Sequence, residues 1–126
     1  MSNRPTIFAN PGLFKILNNL YDVERKLALH GDGGNVIRNV DKIKEAIQEF
    51  IPPEFDLFYE DPMGQLFKET RTDLDATITG AGSENLYVVE VIKPIIRIRD
   101  GTDTFSRVLQ KGSVIVQTKN SETGNE

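Results

Sequence analysis

Cysteine and tryptophan are absent from these 126 residues, and histidine occurs once, as His30. The missing cysteine excludes disulfides, thiolate metal sites and a thiol nucleophile together. The single histidine excludes a histidine-rich metal site within one chain and leaves few groups for acid–base work near neutral pH. No apolar run reaches the ~18 residues of a membrane-spanning helix, and no signal-peptide pattern is present. A soluble, cytoplasmic protein with no membrane partner is expected. Basic residues are also scarce: 15 Lys and Arg stand against 19 Asp and Glu, a net charge of −4. That balance argues against nucleic acid as the main partner, because phosphate binding needs a basic surface.

What is present is an ordinary globular mixture, 38% hydrophobic and 27% charged. The length suits one domain, or a helical element with one small sheet domain attached. Residues 1–10 show no sustained period and read as an N-terminal arm. Asn10-Pro11 then predicts a helix entry, with Asn10 as N-cap and Pro11 at the first helical position. Leu13, Ile16, Leu20, Val23 and Leu27 follow at heptad spacing, and Phe14, Leu17 and Tyr21 widen the stripe. A second seam runs through Val36, Val40, Ile43, Ile47 and Phe50. Pro52-Pro53 ends it, since neither ring supplies an amide donor.

Residues 11–53 are thus expected to form an antiparallel helical hairpin. Two helices cannot cover two wide stripes from water, so either the sheet domain or a second protomer must pack there. The favoured expectation is a dimeric four-helix bundle with Leu13, Ile16, Leu20, Val23, Leu27, Val40, Ile43 and Ile47 in its interface.

From Phe55 the texture changes to short β-rich runs separated by turn residues. A small, mainly antiparallel β domain is expected over 54–118, making the whole an α+β chain, with a flexible tail at 119–126. Tyr87, Val89 and Val91 alternate with Val88, Glu90 and Ile92 as two faces of one strand. Ile96 and Ile98 alternate with Arg97 and Arg99, which places the arginines toward solvent.

Three strings invite a chemical reading. "LHGDGGN", 29–35, lacks the preceding strand and the following lysine of a phosphate loop, and offers only His30 and Asp32 to a metal. It reads as the joint between helices: a glycine ends the first, and Asp32 or Asn35 caps the second. The carboxylates Glu60, Asp61, Glu69, Asp73 and Asp75 lack the ligand spacing of a calcium loop. A hydrolase using a pair such as Glu69 and Asp73 is the least favoured function. Lys93, Arg97, Arg99, Arg107 and Lys111 cluster late in an acidic chain. They are either a solvated strand face or a patch for an acidic partner.

The order of features resembles the GrpE family of nucleotide exchange factors for DnaK-type chaperones. "LFKILNNLYDVERKL" (13–27) is similar to that family's short helix. "VIRNVDKIKEAIQEF" (36–50) falls where its second bundle helix falls. "DPMGQLF" (61–67) resembles the P-x-G-x-x-F entry into its β domain, and "LDATI" (74–78) lies where the family carries H-E-A-V. "YVVEVIKP" (87–94) and "RVLQKGSVIVQ" (107–117) resemble its V-V-E-V and closing strands. Leu74 replaces the family's histidine, and Gln110-Lys111 its arginine–proline pair. The likeness covers roughly residues 11–118 and does not extend to the family's long N-terminal helix.

The resemblance implies a homodimer whose β domain docks on a chaperone's nucleotide-binding domain and opens the cleft, so that ADP leaves. No cofactor, metal or catalytic residue is implied. Ile92 and Val116 match the family's contact surface, and its arginine aligns with Arg99 or Arg107. Met63 and Leu66 join them as apolar neighbours on an exposed turn, and Arg97 through the basic cluster. The alternative is a dimeric adaptor that uses the same fold without exchange activity.

Overall fold

A computed structural model describes residues 10–101 and 106–119. The expected arm and tail lie outside the described residues, apart from Asn10 and Lys119. Among the described residues, two helices and seven strands follow one another. Helix α1 spans Pro11–His30 and α2 Val36–Gln48; the strands are β1 Phe55–Glu60, β2 Leu66–Phe67, β3 Leu74–Ile78, β4 Leu86–Lys93, β5 Ile95–Asp100, β6 Ser106–Gln110 and β7 Gly112–Thr118.

The first helix starts as its sequence dictates. The Asn10 side chain accepts from the amides of Gly12 (2.8 Å) and Leu13 (3.3 Å), with Pro11 behind it, where a missing N–H is harmless. Gly31, at φ 91°, terminates α1, and its amide donates to Leu27 O at 2.8 Å. Asp32 then caps α2: its carboxylate accepts from Val36 N at 2.5 Å and Ile37 N at 3.0 Å. Asn35 makes no side-chain cap and instead turns the chain at φ 57°.

The chain divides into two compact units, and the division does not fall at residue 53. One unit holds the residues up to Tyr59 together with Ile96–Leu109; the other holds Glu60–Ile95 and the residues from Gln110 onward.

In the first unit both helices share a core with the sheet of order β1-β5-β6. Leu13, Leu17, Leu20, Val40, Ile47 and Ile51 from the helical segment meet Leu57, Ile96 and Ile98 from the strands. The expected four-helix bundle is therefore corrected. Leu13, Leu20, Val40 and Ile47 are buried inside their own unit, and Val23 packs half-buried against that core. Leu27 is half-buried, while Ile16 and Ile43 stay 46% and 44% exposed. The physical reason is width: Leu17 and Tyr21 are buried too, so the covered face of α1 is broader than a coiled-coil seam. The sheet satisfies that face. The fold is α+β with more sheet than helix.

The second unit is a four-stranded sheet of order β2-β4-β7-β3. Strand β4 pairs antiparallel with both β2 and β7, whereas β3 runs parallel to β7. Its buried side is Leu74, Leu86, Val88, Val91, Val114 and Val116. Gly112 faces Leu74 across the ladder, and a Cβ there would stand 3.0 Å from side-chain atoms of both Leu74 and Ile95.

Candidate functional site

Site-like features of the first unit are built for stability. Tyr59 Oη donates to Glu24 Oε1 at 2.5 Å, and Lys44 Nζ pairs with the same carboxylate at 2.8 Å. The ammonium also lies 4.7 Å over the Tyr59 ring, and Tyr21 meets that ring edge-on at 6.0 Å. Burial of the phenol, and then its bond to Glu24, push the Tyr59 pKa well above the ordinary tyrosine value. Beside this group lies a recess of about 60 Å³ lined by Leu17, Lys44, Leu57, Phe58 and Tyr59. It is far below the several hundred Å³ of a typical small-molecule site. One strand away, Arg99 Nη2 pairs with Asp56 at 3.0 Å and its guanidinium lies 4.7 Å over Phe58.

The acidic string of the second unit is likewise structural. Arg71 grips Asp73 through two bonds of 3.0 Å, and its remaining Nη1 donates to Gln65 Oε1 and Leu66 O, each at 3.1 Å. A carboxylate held in that fork is poorly suited to act as a free acid or base, and Glu69 is exposed. Among the described residues, no three His, Asp or Glu side chains converge as metal ligands. His30 sits exposed at the end of α1.

The residues expected to meet a partner separate. Arg97, Arg99 and Arg107 belong to the first unit, Lys93 and Lys111 to the second. Arg99 and Arg107 are exposed and Arg97 is half-buried. Val116 must be corrected as a contact residue: it is 0% exposed, on the inner side of β7. Met63, Leu66 and Ile92 lie in the second unit and are 48%, 39% and 58% exposed.

These three share strand β4 as their frame. Pro62 O accepts from Gln65 N at 3.1 Å, closing a turn in which Gly64, at φ 82°, takes the position glycine favours. Asp61 braces it by accepting from Met63 N at 3.0 Å. The turn is sewn to β4, with Gly64 N donating to Val88 O and Val88 N donating to Gln65 O. Leu66 then pairs with Tyr87.

Strand β4 does not keep the simple alternation its sequence suggests. The register against β7 shifts between Val88 and Glu90 and again between Val91 and Lys93. Each bulge places two residues opposite one. Val88 and Val91 stay buried, while Val89 (45% exposed) and Ile92 face water. Period-two reasoning paired Val89 with the buried Val91 and so missed it; only the bulges reveal it. The surface that β4 offers is apolar, Val89 and Ile92, with exposed Glu90 between them and exposed Lys93 at the strand's end.

No family model matches the chain. No curated protein and no solved structure matches it either. Among the described residues, no helix is long and apolar enough to cross a membrane.

Proposed function

We propose that the protein is a GrpE-like co-chaperone whose four-stranded unit binds the nucleotide-binding domain of a DnaK-type chaperone and promotes ADP release. The observation that carries this reading is the doubly bulged β4, which exposes Val89 and Ile92 on the segment "YVVEVIKP" that resembles the family's strand. Met63 and Leu66, from the turn that resembles the family's entry to its β domain, are fixed to the same strand. Exchange needs no covalent chemistry. A factor that binds the open chaperone more tightly than the closed one shifts the population toward opening, by the ratio of the two affinities.

The test is release of a fluorescent ADP analogue from the DnaK-type chaperone of the same organism. Micromolar protein should accelerate release, and Val89→Asp or Ile92→Asp should reduce the acceleration by roughly tenfold, as expected for residues central to an interface. No acceleration with any such chaperone overturns the reading.

The adaptor alternative is favoured by one observation: Val116, a position the resemblance would place at the contact, is buried. Stable binding with unchanged nucleotide release would select it.

A further inference from the structure

The two edges of the four-stranded sheet are treated differently. Strand β2 has only two residues, and its neighbour β4 is bulged twice, so that edge is blunted. Strand β3, Leu74–Ile78, is the other edge, and it carries no proline, no lysine and no bulge.

The register decides which of its backbone groups are already used. Gly112 N donates to Asp73 O, and Thr79 N to Val116 O, with Leu74 opposite Gly112 and Ile78 opposite Val116. In a parallel ladder this makes residues 73, 75, 77 and 79 the ones bonded to β7. The N–H and C=O groups of Leu74, Ala76 and Ile78 therefore point away from β7, in a row.

The side chains along the edge add a second pattern. Asp75 is the only charged residue of β3; its side chain is 70% exposed and its cation, Lys111, stands 3.8 Å away. On the opposite side of the strand, half-buried Ala76 and Ile78, 46% exposed, continue the apolar row begun by buried Leu74. One side of the edge thus offers an exposed carboxylate, loosely paired with Lys111, and the other offers apolar surface, at the two-residue period of an extended chain.

We propose that the open edge of β3 docks an extended peptide strand that alternates apolar and basic residues, with a lysine or arginine beside Asp75. The main-chain groups of Leu74, Ala76 and Ile78 supply the ladder. Asp75 and Ile78 select the side chains, and this division of labour is that of strand addition.

The probe is a fluorescein-labelled peptide of about seven alternating valine and lysine residues, followed by anisotropy in about 0.1 M salt. It should bind at least about tenfold more tightly than the valine–glutamate peptide of equal length. Methylating its amides on one edge should abolish binding, because the ladder then loses its donors. Ala76→Pro removes an outward N–H without taking a bond from β7, so a folded variant should lose binding. Asp75→Lys should reverse the preference toward the glutamate peptide, and this decides the matter if the proline variant fails to fold.

Failure of the valine–lysine peptide to bind overturns the proposal. So does undiminished binding by folded Ala76→Pro, or an unchanged charge preference in Asp75→Lys. A concentration-dependent dimer that Ala76→Pro dissolves, without peptide binding, assigns the edge to a second copy and also overturns it.

Discussion

The Gln48 side chain and the Leu57 backbone form a two-bond pair: Nε2 donates to Leu57 O at 2.6 Å, and Leu57 N donates to Oε1 at 3.3 Å. A glutamine at the end of α2 thereby stands in for the missing neighbour of β1, which is an edge strand of its sheet. Gln48→Ala would leave an amide and a carbonyl without partners in a part-buried place. It should cost about 1–3 kcal/mol in urea unfolding. Gln48→Glu keeps an acceptor but loses the donor, and should rescue little of that loss.

Tyr59 makes the first unit sensitive to alkali. Its folded pKa is raised above the unfolded value of about 10. The corresponding stability is present below that unfolded pKa and is lost as pH rises from there toward the folded one. Thermal melts of the native protein should fall as pH rises above about 10, and Tyr59→Phe should flatten the fall. The same variant should lower stability by about 1–2 kcal/mol at pH 7, because Glu24 loses one of its two donors.

Arg71 ties a fork to Asp73 and a third arm to Leu66 O and Gln65, fixing the start of β2. Lysine cannot reproduce a planar fork and a third donor together. Arg71→Lys should therefore recover less than half the stability lost in Arg71→Ala, roughly 2–3 kcal/mol. Hydrogen exchange at the β2 amides is the local readout, and it should accelerate in both variants.

Gly82 has no room for a side chain. A Cβ there would collide with Thr118 Oγ1 and stand 2.6 Å from Thr118 Cβ. Gly82→Ala should cost more than about 2 kcal/mol, in line with overpacking. Pairing it with Thr118→Gly should give a favourable coupling in a double-mutant cycle, since the clash needs both side chains. Additive losses would refute this account.

Much of the local structure was legible. Asn10-Pro11 marked the start of α1 and "LHGDGGN" the joint, because capping geometry acts over a few residues; α2 stops at Gln48, short of the expected Pro52-Pro53. The heptad seams marked only part of the covered faces: Leu13, Leu20, Val40 and Ile47 are buried, but Ile16, Val36, Ile43 and Phe50 stay exposed, and the spacing did not say what would cover the rest. Leu20 and Ile47 suit a sheet as well as a partner helix, since apolar burial has no direction. The alternation at 87–92 misled for a related reason: a bulge depends on how two strands meet, and neither strand's residues announce it.

The sequence by itself determined where the helices begin, where α1 ends, which segments extend, and that one chain offers no thiol and a single histidine. Tertiary structure alone decided that the helices pack on strands of their own chain and that Val116 is interior. It also decided that Val89 and Ile92 face outward and that, among the described strands, β3 lies at the edge of its sheet. Those outcomes depend on strand order and register, which are set by hydrogen bonds between residues dozens of positions apart.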